Sequence, residues 1–186
     1  MNINKLILIG ASTGGPGQIH KIIRSLREDF DGAMVIAQHM EHTYISSFMD
    51  YLHNNAPLDV VQAKDGLTIE NKKIYLLSQS TEIKTQLSSL YFLQNNGEFN
   101  YNPNIDLLLN SAMEISKKIH VMCIILTGIG NDGACGALNL YNSNAICIAE
   151  DEKSSIVYGM PKAAIELNPK MKQASIDEIC EAINRF

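Results

Sequence analysis

Three side chains in this 186-residue sequence have the types needed for nucleophilic catalysis, and each lies just beyond a hydrophobic run. Ser12 stands in LILIGASTGG, where Gly10, Ser12 and Gly14 make a Gly-x-Ser-x-Gly spacing. His39 follows the apolar run in IAQHM, and Asp132 lies in LTGIGNDG. A serine hydroxyl is a weak nucleophile until an imidazole takes its proton. A carboxylate then holds the imidazole in the right tautomer and stabilises the imidazolium that forms. The backbone N–H of Thr13, one residue beyond the serine, is the natural donor to a developing oxyanion.

Each member of this trio has a competing explanation. A glycine-rich turn between a strand and a helix equally suits a phosphate cradle. However, the Walker pattern needs Lys followed by Ser or Thr, and Ser12 breaks the Gly-x-Gly-x-x-Gly dinucleotide fingerprint. Among the histidines, His20 and His53 fall within helical patterns and His120 precedes a strand at the opposite edge. His42 competes with His39, but at an expected helix start. His39 is favoured because it stands at a strand end on a rigid scaffold. Asp132 would also serve as a helix cap or as part of an Asn-Asp-Gly turn. Glu150, Asp151 and Asp106 remain alternatives for the carboxylate.

The elements that must position these groups follow from hydrophobic periodicity. Strands are expected at 5–10, 33–38, 59–62, 121–127, 145–149 and 171–175, with 121–127 central as the most hydrophobic. Helical patterns occupy 16–26, 43–53, 104–117, 160–167 and 176–185, and a further helix follows GIGNDG. Asn104 is the expected N-cap of the third of these, with Asp106 in its first turn, and Pro161 starts another. Short segments at 73–77, 83–86 and 90–94, separated by Ser, Asn and Gly, read as antiparallel hairpin strands inserted at one sheet edge. Repeated βα units with such an insertion predict an α/β fold: a three-layer, doubly wound, mainly parallel sheet with an antiparallel hairpin. Ligands of such sheets sit beyond the carboxyl ends of the strands, where Ser12, His39 and Asp132 all fall.

Composition narrows the function classes. Hydrophobic residues make up 46% of the chain, enough for the core of one domain, expected to span 1–186. Twenty acidic against fifteen basic residues give a net charge of −5, which argues against a nucleic-acid partner. No apolar run approaches a membrane span and the amino terminus has no signal-peptide pattern, so a cytoplasmic location without membrane insertion is expected. Cys123, Cys135, Cys147 and Cys180 form no Cys-x-x-Cys pair, so thiols in a reducing compartment are expected rather than a disulfide framework or a metal site. No cofactor motif is present.

The motifs LIGASTGG, IAQHM, LTGIGNDGA and VYGMP occur in this order and together resemble the catalytic domain of the chemoreceptor protein-glutamate methylesterases of the CheB type. The similarity runs over essentially the whole chain. It implies a catalytic triad of Ser12, His39 and Asp132, with Thr13, Ile129 and Gly130 on the oxyanion or substrate side. It further implies hydrolysis of glutamyl methyl esters on the cytoplasmic helices of chemotaxis receptors, releasing methanol, and deamidation of receptor glutamines by the same acyl-enzyme route. Ile129 replaces the family's usual methionine, an apolar swap of similar volume that leaves the backbone donor in place. Departures at 78–83 (SQSTEI) and at Asn102, Pro103 and Asn104 alter loops that in the family carry Pro-Gly-Gly and Arg-Pro-Ser turns. The first strand begins by Lys5, so no receiver domain is expected ahead of it.

Overall fold

A computed structural model describes residues 3–186; Met1 and Asn2, on which the reading of the amino terminus partly rests, lie outside the described residues. The chain opens with β1 (Lys5–Ala11), α1 (Gly15–Ser25), β2 (Ala33–Gln38), α2 (His42–His53), β3 (Asp59–Gln62) and β4 (Lys73–Leu76). A hairpin of β5 (Thr81–Gln86) and β6 (Ser89–Gln94) follows, then α3 (Ile105–Ser111), α4 (Met113–Ser116) and β7 (His120–Ile125). The remainder is α5 (Ala134–Asn142), β8 (Ile146–Glu150), α6 (Met160–Leu167), β9 (Lys172–Ala174) and α7 (Ile176–Arg185). Seven strands form one parallel sheet in the order β3-β4-β2-β1-β7-β8-β9, and β5 pairs with β6 in a separate antiparallel ribbon. The expected α/β fold with a mainly parallel sheet and an antiparallel insertion is therefore present.

Side-chain alternation divides the core in two. Leu6 and Leu8 of β1 face the layer containing α3 to α6 together with the hairpin, whereas Ile7, Ile9 and Ala11 face α1, α2 and α7. Strands covered on both faces read as unbroken apolar runs, which is why 33–38 and 121–125 carry so few polar residues.

Three expectations need correction. Residues 73–77 do not belong to the hairpin: β4 lies between β2 and β3 and runs parallel to both. Its Ile74, Tyr75 and Leu76 are buried among main-sheet neighbours, a requirement that the Ser- and Asn-rich flanks concealed. The helix expected over 104–117 is two, because Ala112 ends α3 and begins α4. The centre of the sheet is β1, with β7 beside it. Hydrophobicity reports burial on both faces, which all of the inner strands share, and not the order of the strands.

Candidate active site

Register brings the serine and the histidine together. β1 and β2 pair in parallel with Ala11 opposite Gln38, so Ser12 and His39 leave neighbouring strands at the same level. Adjacent strands are about 4.8 Å apart, which sets the separation of the two main chains. The His39 N–H donates to the Ala11 carbonyl at 2.9 Å, and the Ser12 N–H donates to the Thr127 carbonyl beyond β7 at 3.0 Å. The two-residue period, carried one step past each strand, aims Ser12 and His39 at the α3–α6 side. Gln38 and Ala11 point the opposite way, toward α1.

The turn after Ser12 runs directly into a helix. Gly14, at φ +82°, is the N-cap of α1 in the left-handed region that favours glycine, and Pro16 occupies the first turn. The Ser12 carbonyl accepts the Gly15 N–H at 2.8 Å, which closes the turn. Ser12 is half-buried, and its Oγ makes no hydrogen bond among the described residues. Catalytic hydrogen bonds in unliganded enzymes commonly tighten only when substrate binds. The backbone N–H groups of Thr13, Ile129 and Gly130 also have no partner among the described residues. Thr13 and Ile129 are exposed and Gly130 is half-buried.

Asp132 lies beyond β7 and is buried, with its Oδ2 2.8 Å from His39 Nε2. The same oxygen accepts the Ile105 N–H at 2.8 Å, and Oδ1 accepts the Asp106 N–H at 3.0 Å. The carboxylate thus takes up unpaired donors at the start of α3, a helix to which it does not belong. Asp106 returns the arrangement by accepting the Gly136 N–H near the start of α5 at 2.7 Å. Burial pushes the Asp106 carboxyl pKa up, opposed by the Gly136 N–H, with the neighbouring Asp132 charge adding to the rise. The first turn of α3 reaches Asp132 by passing close over β1. A Cβ on Gly10 would stand 2.6 Å from Ile105 Cγ2, so only glycine admits this approach.

The structure brings His39 and Asp132 into contact and sets Ser12 beside His39. His42 opens α2 and is exposed, while Asp151 lies on a loop after β8. Asn104 caps α3 as expected, its Oδ1 accepting the Leu107 N–H at 2.6 Å. The segments at 78–83, whose last three residues open β5, and at 102–104 are tied together, since Asn102 Oδ1 accepts the Ser80 N–H at 2.8 Å and Ser80 Oγ accepts the Asn104 N–H at 2.9 Å. Cys123, Cys147 and Cys180 are buried, and Cys135 is exposed in the first turn of α5. Among the described residues no group of three or more His, Cys, Asp or Glu could hold a metal ion, and no helix is long and apolar enough to cross a membrane.

Tyr101 is a site residue that the sequence did not single out. Its ring stacks on the His39 imidazole, with centroids 5.0 Å apart and planes 2° from parallel. Its hydroxyl lies against Gly130, where a Cβ would be 2.7 Å away. An aromatic residue in a polar loop gives no local signal of such a contact. Glu150 is a second buried carboxylate at this edge. Its Oε2 accepts the Thr127 N–H at 2.8 Å and its Oε1 accepts from Gln18 Nε2 at 2.6 Å and Ser154 Oγ at 3.1 Å. Burial pushes the Glu150 pKa up, against these hydrogen bonds.

The sequence matches the CheB methylesterase family over residues 7–183. It is 33% identical, over 98% of its length, to a protein-glutamate methylesterase/protein-glutamine glutaminase of Treponema denticola, of which it covers 50%. A similarly named protein of Hahella chejuensis is 32% identical over 98% of this chain, which covers 51% of it. The chain thus spans about half the length of these curated relatives. The crystal structure of the Thermotoga maritima CheB methylesterase catalytic domain superposes with a TM-score of 0.92 at 31% identity, covering 98% of each chain. Extent of match, identity and fold agree, and the chain belongs to the CheB methylesterase family.

Proposed function

We propose that this chain hydrolyses glutamyl methyl esters on chemotaxis receptors and deamidates receptor glutamines, using Ser12 as nucleophile, His39 as base and Asp132 as its carboxylate partner. The observation that carries the reading is the contact of His39 Nε2 with Asp132, on a histidine whose main chain lies next to that of Ser12. With Nε2 protonated and donating to Asp132, Nδ1 keeps its lone pair and is the nitrogen available to Ser12 Oγ.

Ser12 Oγ adds to the γ-carbonyl carbon of the ester as its proton passes to His39. Thr13, with Ile129 or Gly130, donates backbone N–H groups to the oxygen that becomes negative. The tetrahedral species collapses as His39 returns the proton to the methoxy group, and methanol leaves an acyl-enzyme. Water, deprotonated by His39, then adds to the acyl carbon, and collapse releases glutamate and regenerates Ser12. With a glutamine substrate the first leaving group is ammonia and the remaining steps are the same. Tyr101, stacked on the ring, holds the imidazole plane through both proton transfers.

Methanol release from a methylated receptor fragment tests the reading, with mass spectrometry of the receptor peptides to separate demethylation from deamidation. Ser12→Ala is expected to abolish methanol release and labelling by a fluorophosphonate, a loss of at least about 10³-fold. Unchanged turnover in that variant would refute Ser12 as nucleophile.

A further inference from the structure

We propose that Gln38 is a positioning residue that braces Ser12 and His39 against each other; this rests on the serine mechanism above. Gln38 ends β2 and is only 3% exposed. Its Nε2 donates to the main-chain carbonyl of Ser12 at 2.9 Å and to that of His39 at 2.8 Å. Among the described residues no other side chain bonds to the main chain of both. The orientation of the amide follows from its neighbours: turned over, its oxygen would face two carbonyl oxygens with no hydrogen between them. Oε1, at the other corner, is buried without a hydrogen-bond partner.

That unpaired oxygen is the mark of a group held for its other end. A buried acceptor left without a donor is costly, and an apolar side chain of the same length would avoid the cost. Close packing confines the amide as well. A Cβ on Gly15 would stand 2.0 Å from Oε1, so the first residue of α1 must be glycine for Gln38 to sit where it does. The sheet ladder already fixes the N–H sides, with Ser12 bonded to Thr127 and His39 to Ala11. Gln38 fixes the carbonyl sides and links them through a single nitrogen. The nucleophile turn and the base thereby become one rigid unit, where a misplacement of about 1 Å would cost on the order of 10²-fold in rate.

The test is Gln38→Met, which keeps length and removes the donors, together with Gln38→Glu, which keeps volume and sets a carboxylate oxygen against the two carbonyls. Both are measured well below their melting temperatures, with sites counted by fluorophosphonate labelling and turnover followed as methanol release. We expect kcat per labelled site and the labelling rate constant to fall about 10- to 100-fold, with KM changed less than about 3-fold. A residue needed only for stability would lower the melting temperature and leave both quantities at the wild-type value in the folded variant. That result in either variant overturns the proposal, as does failure of both to fold, which would make Gln38 a stability residue. Wild-type protein that does not label would instead refute the serine mechanism itself.

Discussion

Asp132 and Glu150 are two buried carboxylates at the carboxyl edge of the sheet, one beyond β7 and the other ending the adjacent β8, and they have opposite surroundings. Both accept main-chain N–H groups, Asp132 from Ile105 and Asp106, Glu150 from Thr127. Asp132 also meets a ring nitrogen of His39, whereas the other partners of Glu150 are the neutral Gln18 and Ser154. Glu150 gains no positive charge from these neighbours, and burial raises its pKa. Through Thr127, whose carbonyl receives the Ser12 N–H, it supports the turn that carries Ser12. On the proposed mechanism, burial at this edge therefore does not select the carboxylate that works with the base. The partner does, since only a carboxylate touching the imidazole can stabilise its charged form.

The sharpest way to break this contrast is Asp132→Asn. The amide keeps one acceptor oxygen for the start of α3 where the carboxylate has two, and it cannot balance an imidazolium or enforce the tautomer. We expect kcat/KM for methanol release to drop on the order of 10³- to 10⁴-fold. A loss under tenfold would place Asp132 in the same structural class as Glu150.

Asp106→Asn probes the support behind Asp132. Asp106 donates its N–H to Asp132 and accepts the Gly136 N–H, so its side chain links α3 to α5. Weakening that link is expected to cost about 1 kcal/mol, close to the loss of a helix cap, and to lower Tm by about 2–4 °C. Rate is expected to fall less than about tenfold, because the backbone donor to Asp132 remains.

Glu150→Gln is expected to be the mildest in rate, within about threefold of wild type, and informative in its pH dependence. A carboxyl whose folded pKa is raised contributes stability below its unfolded value, near 4.3, and loses it as pH climbs through the folded value. Melting curves from pH 4 upward should show the wild type losing stability relative to the variant, which has no carboxyl to ionise. A variant that loses ground as pH rises would mean that Glu150 is stabilised in its charged form, as a catalytic carboxylate would be.

Much of this arrangement was legible before the fold was known. The apolar runs, the glycine-bounded Ser12 turn, the Asn104 cap and the strand-end places of His39 and Asp132 are local patterns, written in consecutive residues. The role of β4 was not local: Lys73–Leu76 is short and lies among turn-forming residues, and only its pairing with β2 and β3 makes it part of the main sheet. Gln38 stood beside His39 at the end of its strand in the sequence, but its bridging role was silent, as was Tyr101, because a bridging amide and a stacked ring are contacts between segments distant in sequence or turned to opposite faces.

The sequence by itself determined which chemical groups stand at the ends of strands, since side-chain period and turn chemistry act over a few residues. Only the tertiary structure decided which groups meet. Parallel register set Ser12 level with His39, and the close pass of α3 over Gly10 delivered backbone donors to Asp132. Those outcomes depend on strand order and on helix packing, where the contacts that select them span most of the chain.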